Sequence, residues 1–205
     1  MYDLTIQRFG TVFITILDDV VLFRVEFYAV DSNGRTVLVG LSSNVSLVAE
    51  PVFDGGDKKY LVESDGQLLM VDMYVDDDHD WLVWFKVFKL DLEGKSWVEL
   101  KSLVDRVLFL GDDCTFSASA LELSGCKGNC IFFSTNYFYG SVEEDGGNGV
   151  FRGRDIGVCD LDNGSVKPLA DYLEYSKLFW PPPDWAVSTT SGVSIVLGVM
   201  QTLLV

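Results

Sequence analysis

Val87-Phe88-Lys89-Leu90-Asp91-Leu92-Glu93-Gly94-Lys95 is an apolar strand closed by an aspartate and a glycine turn, and the chain holds two weak copies of it. Phe27-Tyr28-Ala29-Val30-Asp31-Ser32-Asn33-Gly34-Arg35 lies upstream, and Val158-Cys159-Asp160-Leu161-Asp162-Asn163-Gly164-Ser165 lies downstream. Apolar runs separated by glycine turn pairs are the signature of antiparallel hairpins. Asn33-Gly34, Asp65-Gly66, Glu93-Gly94 and Asn163-Gly164 therefore mark hairpin tips. Strands are expected over 25–30, 60–63, 68–75, 84–90, 97–100, 107–110, 114–118 and 131–133, with 84–103 forming one hairpin.

Working outward, Leu68-Leu69-Met70-Val71 and Val107-Leu108-Phe109-Leu110 are apolar at every position, where a sheet wetted on one side would alternate. Such strands need cover on both faces. A β-propeller supplies it, because each blade packs between its neighbours, whereas a β-sandwich predicts cleaner alternation. Gly34 to Gly94 spans 60 residues and Gly94 to Gly164 spans 70, longer than the ~40 to 50 of common propeller repeats, so loop insertions must account for the excess. Helical periodicity is poor except at Leu169, Tyr172 and Leu173, where about two turns fit between Pro168 and Pro181. The expected fold class is all-β, a partial β-propeller of about three to four blades of antiparallel strands.

The 205 residues carry 15 Lys+Arg against 31 Asp+Glu, a formal charge of −16, with one His and 48% hydrophobic residues. A mean hydropathy of +0.23 with 13% aromatic residues excludes a disordered chain. A pI near 4.2 excludes nucleic acid and anionic membranes as partners, since both require a basic face. Basic or neutral protein surfaces remain. Cys114, Cys126, Cys130 and Cys159 match no redox or zinc spacing and are too few for a disulfide scaffold, which indicates a reducing compartment. The first 22 residues carry a lone Arg8 and break their apolar run at Asp18-Asp19, unlike a secretory signal. An intracellular location, cytoplasm or nucleus, follows. Gly192 to Val205 is almost wholly apolar but shorter than the ~20 residues of a spanning helix, and reads as a buried or sticky C-terminal segment.

Chemistry-bearing clusters are few. Asp76-Asp77-Asp78-His79-Asp80 has the alternate carboxylates of a calcium loop, yet the positions that need Gly and a bidentate Glu hold Trp81 and Val87. It reads as a solvated loop. His79 is the only histidine; its acidic neighbours favour imidazolium, and no Gly-x-Ser-x-Gly elbow accompanies it. Cys126-Lys127-Gly128-Asn129-Cys130 lacks the second pair a structural zinc site needs, and reads as a turn with small apolar cysteines at two strand ends. The glycine-rich stretch from Gly140 to Gly153 carries Glu143-Glu144-Asp145 and has the wrong charge to cradle phosphate. Leu178-Phe179-Trp180-Pro181-Pro182-Pro183-Asp184-Trp185 contains no Pro-x-x-Pro and reads as a stiff strap. No catalytic, cofactor or metal residue is assigned, and no enzyme activity. The alternative is a metal-binding or enzymatic β-domain using Asp76 to Asp80 or Cys126 and Cys130.

Several motifs then resemble one family. Tyr60-Leu61-Val62-Glu63-Ser64-Asp65-Gly66-Gln67-Leu68-Leu69, Phe85-Lys86-Val87-Phe88-Lys89-Leu90 with Trp97-Val98-Glu99-Leu100-Lys101-Ser102-Leu103, and Asp105-Arg106-Val107-Leu108-Phe109-Leu110-Gly111-Asp112 are similar to plant F-box proteins with a C-terminal KIB-type β-propeller. So are Gly125-Cys126-Lys127-Gly128-Asn129-Cys130-Ile131, the run from Asp160 to Ser165, and Ser176-Lys177-Leu178-Phe179-Trp180-Pro181-Pro182-Pro183. The resemblance divides the chain into a divergent segment (1–22), a partial propeller domain (23–184) and an apolar tail (185–205). It implies a non-catalytic protein-interaction domain like the substrate-recognition part of a Skp1-cullin-F-box ubiquitin ligase receptor. A Skp1-like adaptor would bind only if an F-box is supplied, because residues 1 to 22 hold the strand-like Val12-Phe13-Ile14-Thr15-Ile16-Leu17 and no room for three helices. The chain is thus expected to be a fragment of the family architecture. The acidic loops at Asp76, Asp77, Asp78, Asp80, Glu143, Glu144 and Asp145 are the candidate partner-binding residues, the partner being a protein target. Self-association through an open propeller edge is also expected.

Overall fold

The computed structural model describes residues 2–8, 11–40, 44–52, 55–76, 82–111, 115–123, 125–134, 156–172 and 175. Among them there is no α-helix, and no helix is long and apolar enough to cross a membrane. The chain divides into two compact units, Met1–Val75 with Phe85–Lys101 and Asp76–Trp84 with Ser102–Val205.

The first unit opens with an antiparallel meander, β1 (Tyr2–Arg8), β2 (Thr11–Phe23), β3 (Glu26–Asp31), β4 (Thr36–Val39) and β5 (Val45–Ala49), in that order across the sheet. Residues 2–8 and 11–22, within the segment set apart by sequence as divergent, thus lie in strands of the first sheet, with Asp3 opposite Ile16 and Leu22 opposite Phe27. The second sheet is also a meander: β6 (Lys58–Ser64), β7 (Gln67–Asp76), β8 (Leu82–Asp91) and β9 (Ser96–Leu100). Phe23, Tyr28, Val30, Val48 and Ala49 of the first sheet share one core with Leu61, Leu68, Met70, Phe88 and Leu90 of the second. Each large apolar side chain so buried contributes about 1.5–3 kcal/mol. This seam is also polar at its rim, where Trp97 Nε1 donates to Gly34 O at 3.1 Å and Glu50 N to Lys95 O at 3.1 Å.

The second unit carries β10 (Arg106–Leu110), β11 (Thr115–Ser119), β12 (Cys130–Ser134), β13 (Ile156–Asp160) and β14 (Ser165–Pro168), in spatial order β11-β10-β12-β13-β14. Val107 to Leu110 and Cys130 to Ser134 are buried at every position, so both faces of these strands are covered. One pair departs from the antiparallel pattern: β10 and β12 run parallel, Val107 opposite Cys130. The parallel return needs a crossover, and the chain makes it through β11, a 3-10 turn at Ala120–Glu122 and the Gly125–Asn129 loop.

The four glycine pairs sit at hairpin tips as expected. Asp65 and Gly66 both have positive φ (53° and 71°), the conformation that matches strand twist in a two-residue turn. The aspartate shared by the three repeats accepts the turn's own N–H groups. Asp31 Oδ1 takes Asn33 N and Arg35 N, Asp91 Oδ1 takes Glu93 N and Gly94 N, and Asp160 Oδ1 takes Asp162 N. Asp31 is buried, so Asp31→Ala strands two turn donors and is expected to lower stability by about 1–3 kcal/mol. Asp31→Asn keeps an acceptor and should lose less; equal urea midpoints for the alanine variant and the parent would refute the role.

Two expectations are corrected. Where about two helical turns were expected near Leu169, the described residues hold a 3-10 turn, Leu169–Asp171, with Tyr172 N donating to Leu169 O, and a further i to i+3 bond from Tyr175 N to Tyr172 O. Pro168 provides no side-chain cap, and so short a segment does not offset the cost of nucleating an α-helix. Val25, placed in a strand by sequence, instead forms a two-residue turn with Arg24.

Candidate interaction surface

Of the acidic residues picked from sequence, Asp76 ends β7 and is half-buried. Asp77, Asp78, His79, Asp80, Glu143, Glu144 and Asp145 lie outside the described residues, as do Cys114, the 178–185 strap and the apolar tail. Cys130 opens β12 and is buried, as the turn reading expected, while Cys126 precedes the turn in a loop. Burial pushes the thiols of Cys126 and Cys159 up to about 12 and that of Cys130 to about 11. Thiols held there stay protonated at neutral pH, and the thiolate is the form that attacks or ligates.

What the cysteine motif builds is a clasp. Asn129 is buried at φ +60°, a conformation asparagine tolerates. Its Oδ1 accepts Leu103 N at 2.8 Å, its Nδ2 donates to Asp162 Oδ1 at 2.6 Å, its backbone N donates to Arg106 O at 2.9 Å, and its carbonyl accepts Leu161 N at 3.0 Å. Beside it Gly128 packs so closely that a Cβ there would stand 2.6 Å from Val104 O and 2.7 Å from Asp105 Cα. Lys127 Nζ lies 2.8 Å from Asp160 and 2.6 Å from Asp162. Its hydrogen bonds to these carboxylates raise the ammonium's pKa, and its bond to Asp162, followed by that from Asn129, lowers that carboxyl. The ammonium is half-exposed, so the ion pairs orient the hairpin more than they stabilise it. Two motifs over thirty residues apart in sequence, Gly125 to Cys130 and Asp160 to Ser165, therefore meet in one structure.

The clasp fixes the Ser102–Asp105 loop in an unusual shape. Val104 has φ +59° and is 78% exposed, and Ser102 Oγ accepts its N–H at 3.0 Å. A β-branched residue with positive φ is an outlier that its surroundings must hold. Leu121, 90% exposed, sits in the 3-10 turn that joins this loop through Ala120 N to Asp105 O (2.7 Å) and Ser119 Oγ to Asp105 Oδ2 (2.8 Å). The first unit repeats the device: Arg24 and Val25 both have positive φ (51° and 69°), Val25 is 89% exposed, and Arg24 Nη2 donates to Gly66 O at 2.8 Å. Rigid loops that present aliphatic side chains to solvent suit contact with another protein surface. Sequence placed Val25 in a strand, where valine is common, and carried no signal for the positive φ of Val104.

Residues 5–160 match the KIB1-4 beta-propeller family. The chain is 46% identical over 193 residues to the Arabidopsis thaliana "F-box protein SKIP23", aligning 83% of this chain with 46% of that one. It is 37% identical to the Arabidopsis thaliana "F-box protein At2g17036" (88% of this chain, 47% of the relative) and 30% identical to the "Putative F-box/kelch-repeat protein At5g24040" of the same organism (83% and 46%). The chain thus spans about half the length of the curated relatives it matches. No solved structure matches it. With the family's residues matched over most of its length and its described strands arranged in three open sheets, this chain belongs to the KIB1-4 β-propeller family.

Proposed function

We propose that this chain is a non-catalytic protein-binding domain, equivalent to the target-recognition part of a Skp1-cullin-F-box ubiquitin ligase receptor. The observation that carries the reading is its likeness to proteins named as F-box proteins over about half their length. A second fact agrees with it: the family-like motifs of the second unit are consumed in holding the fold, Asn129, Gly128 and Lys127 each being engaged by neighbouring backbone or carboxylates. The acidic stretches of sequence from Asp76 to Asp80 and from Glu143 to Asp145, together with the overall charge of −16, favour a target with a basic face. The site of action is the cytoplasm or nucleus, where such ligases act.

Adaptor binding requires an F-box. Residues 2–8 and 11–23 are committed to the first sheet as β1 and β2 and supply no F-box, so these 205 residues by themselves are expected not to bind a Skp1-like adaptor. The test is a binding assay with purified plant Skp1-like adaptor, using the chain alone and the chain fused to a complete F-box. Binding only by the fusion supports the reading; binding by the bare chain overturns it. Targets recovered by the fusion should be shared by the bare chain, and their capture should weaken as salt screens its acidic residues.

A further inference from the structure

The longest strand of the first sheet is broken by a bulge. The β2–β3 register shifts between Leu17 and Asp19, so that Asp18 is an extra residue with no opposite number. Consecutive residues of a regular strand point to opposite faces, and a bulge is the usual means of re-aiming a side chain. Here Asp18 and Asp19 both reach β6, the edge strand of the second sheet. Asp18 Oδ2 accepts Lys59 N at 3.0 Å and Asp19 Oδ2 accepts Leu61 N at 2.7 Å, while Asp19 Oδ1 accepts Val20 N at 2.7 Å. These two N–H groups face away from β7, so the carboxylates occupy the place where another strand's carbonyls would pair.

We propose that the Asp18-Asp19 pair, seated on the edge of β6, makes the seam between the first and second sheets a pH-responsive joint that is tighter in mild acid than at neutrality. The charged groups around it come from every element it meets: Lys58 and Lys59 on β6, Asp31 on β3, and each aspartate beside the other. Lys59 lowers Asp18 through its N–H and its ammonium, but that ammonium is also engaged by Asp72 of β7 at 3.0 Å and neither outweighs desolvation. Burial therefore dominates. It raises the Asp18 carboxyl and pushes Asp19 to about 6, against the lowering by the Leu61 and Val20 N–H groups and by Lys58.

The sign follows from linkage. A carboxyl with a raised native pKa binds its proton more tightly folded than unfolded, so it costs nothing below the unfolded value near 3.8 and destabilises increasingly until pH passes about 6. Between about pH 5 and about pH 7.5 the unfolding equilibrium constant should rise about tenfold on this account. The chain has one histidine, so His79→Gln removes the other side chain whose ordinary pKa lies in that window.

The test measures the His79→Gln chain and the same chain with Asp19→Asn. The Leu61 amide resonance should move with a midpoint near pH 6, and urea unfolding should show the tenfold change, reduced to less than about threefold by Asp19→Asn. A Leu61 amide that does not shift across this range, or an Asp19→Asn chain that keeps the full pH dependence, overturns the proposal. The amide titration needs no aspartate variant and decides the matter even if Asp19→Asn does not fold.

Discussion

Asp72→Ala is expected to destabilise the native state by about 3–5 kcal/mol, the range for removing one partner of a buried ion pair. Lys59 and Asp72 are both 0% exposed, 3.0 Å apart, on neighbouring strands at opposite register positions. The carboxylate is the hub of its surroundings: it accepts Gly56 N at 3.0 Å on both oxygens and Tyr74 OH at 3.0 Å, while Lys59 Nζ also donates to Gly56 O at 3.0 Å. Alanine would take the carboxylate from a buried ammonium and from a half-buried amide and phenol, and leave a void. Gly56 could not move in to fill it, since its position is already so tight that a Cβ would stand 2.2 Å from Met73 O. The loss should reach beyond the pair, because the same segment feeds β6, with Asp57 N on Met73 O at 2.7 Å and Val75 N on Asp57 Oδ2 at 2.8 Å. The paired replacement Lys59→Met with Asp72→Leu removes both charges at similar volume and should recover most of the loss, as apolar substitutes for buried pairs often do. Urea unfolding of the three chains checks this; a single-variant loss below about 1 kcal/mol would mean that water or another acceptor serves the carboxylate's partners.

How much of this was legible in the sequence depends on whether the signal was local. The glycine pairs specified four hairpins, one closed by the two-residue turn Asp65-Gly66 and three by four-residue loops, because tight turns leave little choice of residue. The aspartate before each turn was visible as a repeat, and its role as acceptor for the turn's N–H groups explains why that residue type recurs. Strands apolar at every position signalled cover on both faces, and Val107 to Leu110 are so buried. Long-range features were hidden. Lys58-Lys59 reads as a solvated strand start, and nothing nearby names Asp72 as the partner that lets Lys59 be buried. The bulge at Asp18 left only an interrupted apolar run, which counted against a signal peptide but did not reveal a joint to β6. Likewise the parallel pairing of β10 with β12 depends on a crossover that composition does not encode. Of the candidate site, the cysteine motif was found as a turn, but its purpose lay in Asn129, whose partners are 26 and 33 residues away.

Asn129→Ala is accordingly expected to cost about 2–4 kcal/mol, more than its two side-chain bonds alone would suggest. Three losses coincide. Leu103 N loses its acceptor in a buried setting, Asp162 loses a donor, and alanine must hold a φ of +60° that asparagine and glycine tolerate far better. Asn129→Gly separates these effects, since it relieves the backbone but restores neither bond; it should be about 1 kcal/mol milder than alanine. Asn129→Asp keeps an acceptor for Leu103 N yet faces the Asp162 carboxylate, so it should improve as acid neutralises that pair. The local reading matters as much as the global one. Leu103 N is one anchor of the loop that carries Val104 at φ +59°, and without it the strained valine is held by the Ser102 hydroxyl and the ties at Asp105. Amide exchange at Leu103 and Val104 should therefore accelerate by more than the loss in global stability accounts for. If Val104 and Leu121 contact a target, capture should fall in Asn129→Ala chains even at temperatures where the fold persists. Unchanged exchange at Leu103, or a stability loss under about 1 kcal/mol, would show that the clasp does not hold the loop.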